Sequence, residues 1–312
     1  MKIIIFTSSS LFVKTVSGLT GHCEIAGIVI PEDFNYDLTG TIDYAETNKV
    51  PLLRVNKTDL QNLGSLASWM SGLHANAALV MTFPFKIPEH ILTIPEKGIF
   101  NVHFSKLPAY KGSAPLFWQL KNGEPQSCLT VHQMTTELDE GPVIFSQDMP
   151  LMAGENYGIA KARLTHLLTQ NLGKITQAIA ANQQHPSTET TKESFFTSPE
   201  LDDLTIKWNQ QTAQEIENLV NAANPLYNGA ITSMNGQQFR ILEVSLVTGE
   251  FTPGATLPGT VFHVDPHHGP MVLTTDQKLL LINIIETPEG VFSGKKICAM
   301  GLKAGDHFLN LN

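Results

Sequence analysis

The chain has 312 residues, 42% of them hydrophobic and 16% charged, a composition typical of a soluble globular protein with room for two domains. Its formal net charge of −9 argues against a general attraction to phosphate backbones or anionic membranes. The three cysteines have no paired spacing, which argues against a disulfide framework and a zinc site. Because neither a signal-peptide region nor an apolar run of about 18 residues occurs, we expect a cytoplasmic protein with no membrane partner.

The first half of the chain alternates short apolar runs with segments of helical periodicity, such as 58–73. The apolar runs read as strands: KIIIF (2–6), EIAGIVI (24–30), LLRV (52–55), AALVMTF (77–83) and GIFNVHF (98–104). Strands that alternate with helices predict an α/β fold with a doubly wound, mostly parallel, Rossmann-like sheet. In such sheets, ligands bind at the carboxyl ends of the strands.

Two further strands (128–134 and 142–149) and a long helix (155–183) follow, and then a polar segment without periodicity. Past this segment a helix is predicted over 212–223, followed by short strands at 229–234, 239–247, 259–264, 271–276 and 278–285. Short strands separated by turn signals predict a small β-barrel of the OB-like kind. The predicted division is a catalytic domain (1–183), a linker (184–202) and a C-terminal β-barrel domain (203–312).

The first strand ends in Thr7-Ser8-Ser9-Ser10, so the glycine-rich dinucleotide fingerprint is missing where this fold would place it. No phosphate-binding GxxxxGK[ST] loop occurs elsewhere. NAD and ATP chemistry are therefore disfavoured. The serine hydroxyls are expected to cap the helix that follows.

Polar residues interrupt the apolar strand at 98–104. Asn101 and His103 are two residues apart, so their side chains share one face at the carboxyl end of the strand. Asp139 lies in a polar loop that could return to the same edge. An amide, an imidazole and a carboxylate together suit acyl transfer through an oxyanion, whereas singly each would be a local cap or turn residue. Ser105 lacks the G-x-S-x-G context of a serine nucleophile.

These residues lie in two motifs of one family. The run NVHFSKLPAYKG (101–112), followed by Ala114-Pro115, resembles the N-x-H-x-S-x-L-P-x-[YW]-[KR]-G motif of the folate-dependent formyltransferases. The run LTVHQMTTELDEGPVI (129–144) resembles the family's T-x-H…L-D-x-G segment, in the same order and at the same separation. The segment 207–244 and the run 258–261 are similar to the C-terminal domain of methionyl-tRNA formyltransferases, which this chain also resembles most in length and domain layout.

The resemblance implies a 10-formyltetrahydrofolate co-substrate and Asn101, His103 and Asp139 as catalytic residues; we also expect no metal. Asn101 and His103 would stabilise the oxyanion, and Asp139 would hold His103 and the acceptor amine. His132 and Ser105 would contact and support these catalytic residues. The folate would lie against the backbone of two loops, whose residues here are Phe83, Pro84, Phe85, Lys86, Ile87, Pro88, Glu137, Leu138, Glu140 and Gly141.

The acceptor has a separate signal in the segment 31–51. Methionyl-tRNA formyltransferases carry a basic insertion here, but this chain has five Asp or Glu up to Glu46 and no Lys or Arg before Lys49. Since each phosphate contact needs a cation, tRNA is disfavoured as a partner. Residues 201–312 also hold few cations: Lys207, Arg240, Lys278, Lys295, Lys296 and Lys303.

We therefore favour a small-molecule or carrier-bound amine as acceptor, either an amino sugar on a nucleotide or an amine tethered to a carrier. A divergent methionyl-tRNA formyltransferase is the first alternative. A formyltetrahydrofolate hydrolase and a catalytically inactive folate-binding module are further alternatives, whereas length disfavours a glycinamide ribonucleotide transformylase. The sequence does not indicate the oligomeric state.

Overall fold

The computed structural model of the chain describes residues 1–32, 37–62, 64–184, 192–249, 252 and 254–311. Contacts group the chain into two compact units, each made of three segments. The first unit comprises Met1–Pro115, Ser127–Met149 and Ala162–Phe195, and the second comprises Leu116–Gln126, Pro150–Lys161 and Phe196–Asn312. The domain boundaries inferred from the sequence stay a prediction, and residues 185–191 of the predicted linker lie outside the described residues.

The first unit is built on a seven-stranded sheet. The strands of the first half of the chain are β1 (Lys2–Thr7), β2 (Glu24–Pro31), β3 (Leu52–Val55), β4 (Ala77–Met81), β5 (Ile99–His103), β6 (Lys111–Gly112), β7 (Gln126–Gln133) and β8 (Val143–Pro150). The sheet order is β3-β2-β1-β4-β5-β7-β8. The strands β1 to β5 pair in parallel, and β7 is antiparallel to β5.

The helices that accompany this half of the chain are α1 (Leu11–Thr15), α2 (Thr39–Thr47), α3 (Lys57–Gln61), α4 (Ser65–Gly72), α5 (Glu89–Leu92), α6 (Pro115–Lys121) and α7 (Tyr157–Ala180). Both faces of the sheet are covered by apolar side chains. Along β1, Ile3 and Ile5 belong to one buried cluster, whereas Ile4 and Phe6 belong to the other. This alternation follows from the two-residue period of a strand, and it leaves the carboxyl edge of the sheet for polar groups.

Two predicted elements of the first unit differ from the structure in ways that have a clear local cause. The helical segment expected at 58–73 is two helices, α3 and α4, and Leu63 between them lies outside the described residues. The helix α3 begins with a capping box, in which Asn56 accepts the N–H groups of Thr58 and Asp59, and it ends at Asn62 in an extended conformation. The strand expected at 77–83 ends at Met81, because Thr82 has a φ of 64°.

The second unit contains an antiparallel sheet of six strands. After the short strand β9 (Phe195–Phe196), these strands are β10 (Ala230–Met234), β11 (Gln237–Leu246), β12 (Val261–Asp265), β13 (Gly269–Leu273), β14 (Leu279–Thr287) and β15 (Gly290–Ser293). The sheet order is β10-β11-β14-β13-β12, with β15 on β14. Two helices accompany it, α8 (Ala213–Ala223) and α9 (Gly294–Ala299).

The C-terminal segment joins both edges of this sheet, since Leu309 bridges to Ser233 in β10 and His307 bridges to Thr260 beside β12. The buried Trp208 stacks on Phe308 at 5.7 Å between ring centroids. The predicted fold class is confirmed: a mostly parallel α/β sheet is followed by a small antiparallel β domain.

Candidate active site

Two neighbouring strands carry the polar residues that interrupt the apolar pattern. In the antiparallel pairing of β5 with β7, Asn101 lies opposite His132 and His103 lies opposite Thr130. Since side chains of directly opposed residues project on the same face, Asn101, His103 and His132 meet on one side of the sheet. The amide nitrogen Nδ2 of Asn101 lies 3.3 Å from Nε2 of His132.

Asp139 joins this group from the loop between β7 and β8. Its Oδ2 accepts the N–H of Gly112 at 2.9 Å and lies 3.8 Å from Nδ1 of His103. Its Oδ1 lies 3.4 Å from both Nε2 of His132 and Nδ2 of Asn101. The carboxylate is buried, with Asp139 only 7% exposed. One buried carboxylate therefore gathers the amide and both imidazoles.

The contact of His103 with the Tyr110 carbonyl determines which ring nitrogen carries the hydrogen. Its Nε2 lies 2.9 Å from the carbonyl oxygen of Tyr110, and because a carbonyl only accepts, Nε2 carries the ring hydrogen. Burial lowers the pKa of His103, although Asp139 and the Tyr110 carbonyl act in the opposite direction. The imidazole is therefore neutral at pH 7, and its unprotonated Nδ1 faces Asp139 and is ready to accept a proton.

Asp139 is held in the ionised form. Burial alone would raise the pKa of its carboxyl. The hydrogen bond with His132, the charge that His103 carries when protonated and the N–H of Gly112 outweigh burial and lower this pKa below its usual value. The site therefore pairs a neutral imidazole with an ionised carboxylate at neutral pH, which is a suitable pair for moving one proton.

The loop after β5 supplies the carbonyl that holds His103. Tyr110 has a φ of 58°, a left-handed conformation that is uncommon outside glycine. Ser105 supports this loop, since its Oγ donates to the carbonyl of Ala109 at 2.8 Å and its own carbonyl accepts from Thr130 at 2.6 Å. Ser105 is thus occupied in holding the loop, which fits the absence of a nucleophile signature in the sequence.

A residue with an unusual backbone conformation directly precedes the loop 83–88. Thr82 has a φ of 64°, an outlier for a β-branched residue, and two serines hold it there. The N–H and the Oγ of Ser8 both contact the carbonyl of Thr82, at 2.7 and 2.9 Å, and Ser9 Oγ lies 2.7 Å from Thr82 Oγ1. Ser9 Oγ also accepts the N–H of Leu11 at 3.3 Å. The serine run thus fixes the direction in which the chain leaves β4.

The same loop fits recognition of a ligand through the backbone. The rings of Phe83 and Phe85 meet edge to face at 5.6 Å, and Ile87 is buried. Among the described residues, no hydrogen bond uses the backbone N–H of Phe83, Phe85, Lys86 or Ile87. Since β4 lies beside β5, with Val80 paired to Asn101, these open N–H groups follow the strand adjacent to the catalytic candidates.

The aspartate loop 137–141 is closed tightly against β7. A Cβ added to Gly141 would lie 1.5 Å from the carbonyl oxygen of Gln133, so only glycine fits there. The N–H of Gln133 also donates to the carbonyl of Pro142 at 2.9 Å. Leu138, at the tip, is 47% exposed and thus presents an apolar side chain at the surface.

Two negative findings concern the described residues alone. Within them, no group of three or more His, Cys, Asp or Glu side chains is arranged to hold a metal ion. The turn at 265–268 illustrates this, since Oδ1 of Asp265 accepts the N–H groups of His267 and His268. None of the described helices has the length and the apolar character needed to cross a membrane.

Comparison with known families covers most of the chain. Residues 1–176 match the formyl transferase family, and residues 200–299 match the C-terminal domain of formyl transferases. The chain belongs to the formyl transferase family. This confirms the family and the enzyme class that the two sequence motifs predicted.

Relatives of this formyl transferase include the methionyl-tRNA formyltransferase of Alkaliphilus oremlandii, which is 31% identical over 228 residues, 73% of this chain and 70% of the relative. Among solved structures, an N-formyltransferase from Helicobacter canadensis, in complex with folinic acid and dTDP-3-aminofucose, has a TM-score of 0.65 at 19% identity and covers 90% of this chain and 98% of its own. HypX from Aquifex aeolicus has a TM-score of 0.62 at 15% identity, covers 97% of this chain and is itself matched over 50% of its length. At these identities, the structural likenesses show the shared fold.

The structure of this formyl transferase adds groups that the sequence did not reveal. The Tyr110 carbonyl and the Gly112 N–H contact His103 and Asp139 directly, but a backbone group leaves no residue-type signal. Lys111 is a second case, because it is only 6% exposed and its ammonium contacts Glu140 at 2.9 Å. A lysine within the family motif was visible in the sequence, but its carboxylate partners were not.

Proposed function

We propose that this chain transfers a formyl group from 10-formyltetrahydrofolate to a primary amine, with Asn101, His103 and Asp139 as catalytic residues. The observation that carries the proposal is the carboxylate of Asp139, which contacts Asn101, His103 and His132 within 3.4 to 3.8 Å and is buried. Family membership supports the reaction type, and the geometry supports a role for each residue.

The proton path follows from the contacts. A primary amine attacks the formyl carbon only as the free base, so the nitrogen must lose a proton once the new C–N bond forms. Asp139 is ionised and is placed to accept that proton and share it with Nδ1 of His103, 3.8 Å away. His103 then has a second N–H to donate to the oxyanion, alongside the Asn101 amide. When the tetrahedral intermediate collapses, the C=O bond re-forms, the bond from carbon to the folate nitrogen breaks, and the proton passes to that nitrogen.

The donor is proposed to bind along the loops 83–88 and 137–141. The unused backbone N–H groups of the first loop suit the hydrogen-bonding edge of a pterin, and its aromatic rings offer an apolar wall. Two solved structures of similar fold support this choice. One is HypX in complex with tetrahydrofolic acid, and the other is WlaRD, a sugar 3N-formyltransferase, in the presence of 5-N-formyl-tetrahydrofolate. No metal is needed, because the Asn101 amide and the second N–H that His103 gains with the transferred proton can stabilise the oxyanion.

For the acceptor, we favour an amino sugar on a nucleotide or an amine tethered to a carrier. This preference rests on the acidic segment 31–47, in which Asp37, Asp43 and Glu46 are exposed. Asp33 belongs to the same segment and lies outside the described residues. Exposed carboxylates would repel the phosphates of an acceptor stem. Sugar N-formyltransferases among the structural neighbours support a sugar acceptor, whereas the methionyl-tRNA formyltransferases among the relatives support the main alternative, tRNA.

The test is a panel of acceptors with one donor. The purified protein is incubated with 10-formyltetrahydrofolate and, in parallel, charged initiator tRNA, a nucleotide-linked amino sugar, a carrier-tethered amine or no amine. We expect formylation of one of the two non-tRNA amines. Efficient formylation of the tRNA would replace the preferred acceptor with the alternative, and formate release without an amine would indicate a hydrolase. A protein that binds folate but turns over in none of the reactions would be an inactive binding module.

A further inference from the structure

Residues 193–195, here called the return segment, run beside the loop that follows β5. The N–H of Lys111 donates to the carbonyl of Ser194 at 2.9 Å, and the N–H of Ser194 donates to the carbonyl of Pro108 at 3.3 Å. The side chain adds a third bond, since Ser194 Oγ accepts the N–H of Tyr110 at 2.9 Å. The strands β6 and β9 pair at this point. Three hydrogen bonds to one residue make Ser194 the centre of the contact.

These hydrogen bonds orient the peptide group between Tyr110 and Lys111, whose carbonyl contacts His103. The carbonyl of Tyr110 and the N–H of Lys111 belong to one planar peptide unit and point in opposite directions. The N–H points to Ser194, and the carbonyl points to Nε2 of His103, 2.9 Å away. Ser194 Oγ holds the neighbouring N–H of Tyr110, a residue in the left-handed conformation. Ser194 therefore fixes the orientation of the carbonyl that sets the hydrogen position of His103.

A second path leads from the return segment to Asp139. The buried ammonium of Lys111 contacts Glu193 at 2.6 Å and Glu140 at 2.9 Å. Its hydrogen bond with Glu193 raises the pKa of Lys111 despite the opposing effect of burial, so the ammonium stays charged. A buried lysine needs carboxylate partners, and removing one partner is costly. Because Glu140 directly follows Asp139, Lys111 links the return segment to the aspartate loop.

We propose that Ser194 and Glu193 are positioning residues of the formyl-transfer site, Ser194 acting on His103 through the Tyr110–Lys111 peptide and Glu193 acting on Asp139 through Lys111 and Glu140. This inference rests on the proposed function. Neither residue touches the reacting atoms, so each acts through the groups that it holds. The return segment thus takes part in the proposed catalytic geometry, although it is distant from the motif in the sequence. Ser194 lies 84 residues after Tyr110.

The first experiment needs no acceptor. The titration of His103 is followed by NMR in the wild type and in Ser194→Ala, with Ser194→Thr as the variant that keeps a hydroxyl. The hydrogen bond with the Tyr110 carbonyl raises the pKa of His103, whereas His132 lowers it and Asp139 raises it. Loosening this bond while His132 and Asp139 stay in place should therefore lower the pKa of His103 further in Ser194→Ala and leave it unchanged in Ser194→Thr. Ser194→Ala removes only the hydrogen bond from the Tyr110 N–H to Ser194 Oγ and keeps both main-chain bonds, so an unaltered titration would overturn the positioning role of the Ser194 side chain.

The second experiment measures turnover with the amine identified in the acceptor panel. We expect Ser194→Ala and Glu193→Gln to lower kcat about tenfold, with the KM for the donor within twofold of the wild type and with Ser194→Thr restoring turnover. Matched controls are Ser71→Ala in α4 and Glu200→Gln, since both side chains are exposed. Wild-type kcat in Glu193→Gln would remove Glu193 from the proposal. If no acceptor is formylated at all, the proposed function fails, and the NMR titration still decides the inference for Ser194.

Discussion

The substitution Gly141→Ala tests how closely the aspartate loop must lie against β7. The added Cβ would lie 1.5 Å from the carbonyl oxygen of Gln133 and 2.7 Å from its carbonyl carbon, and both atoms belong to the backbone. An ordinary contact needs more than 3 Å, so the loop must move away by roughly 1.5 Å or more. Such a movement also strains the hydrogen bond between the N–H of Gln133 and the carbonyl of Pro142.

Two magnitudes follow from this displacement. Overpacking of this kind costs about 1–3 kcal/mol, which corresponds to a fall in melting temperature of roughly 2–12 °C for a unit of this size. Asp139 is two residues away, and a catalytic group misplaced by about 1 Å loses on the order of 100-fold in rate. We therefore expect kcat to fall about 100-fold, and the KM for the donor to rise if the loop also binds folate.

The assay compares Gly141→Ala with Gly72→Ala by thermal unfolding and by donor turnover. Gly72 is the last residue of α4, and an added Cβ there meets no atom within 4 Å. Replacing an exposed helical glycine with alanine stabilises by up to about 1 kcal/mol, so this control should melt at or above the wild-type temperature and keep full activity. Wild-type melting and turnover in Gly141→Ala would refute the reasoning, because the loop would then have moved without consequence.

Further expectations concern catalysis, pH and the donor loop. Asn101→Ala and Asp139→Asn should each lower kcat about 100- to 1,000-fold, since one oxyanion donor contributes about 2.7–4 kcal/mol and proton transfer a similar factor; wild-type turnover in both variants would remove them from the mechanism. Folding lowers the pKa of His103, so on acidification the unfolded chain binds a proton at this residue before the folded chain does. The free energy of unfolding should therefore fall below about pH 6.5, by at most about 1.4 kcal/mol per pH unit for this group. His103→Asn should remove that slope in chemical denaturation at several pH values. The lowered pKa of Asp139 adds a second loss of stability below about pH 3.8, down to the folded-state pKa. Thr82→Gly should relieve about 1–2 kcal/mol of left-handed strain and free the donor loop, so we expect near-normal stability with a raised donor Kd, measured by folate titration.

The sequence was most informative where a regular period made a departure visible. Asn101 and His103 stand out because apolar residues alternate around them in a strand, and a strand's period places both on one face. Asp139 was predictable only as a loop residue near the same edge, and the second motif gave it a role. In the structure, Asn101 and His103 lie 3.4 and 3.8 Å from the carboxylate oxygens of Asp139. Their catalytic roles stay a proposal.

Other features were not accessible, for identifiable physical reasons. The conformation of Thr82 depends on hydrogen bonds with Ser8 and Ser9, which are more than 70 residues earlier in the chain. Similarly, nothing in the sequence distinguishes Ser194 from the other serine and threonine residues of a polar segment. Tertiary contacts of this kind have no local pattern, and a backbone carbonyl such as that of Tyr110 has no pattern at all.

The proposed catalytic residues do not distinguish the acceptor, because the chemistry of Asn101, His103 and Asp139 would be the same for every primary amine. The acceptor must be read from the charges around them, and two of the described cations in the loop after β5 already contact carboxylates. Lys111 is held by Glu140 and Glu193, and Lys106 contacts Asp148 at 3.1 Å. An acceptor whose phosphates lay beside the reacting amine would have to compete with these carboxylates.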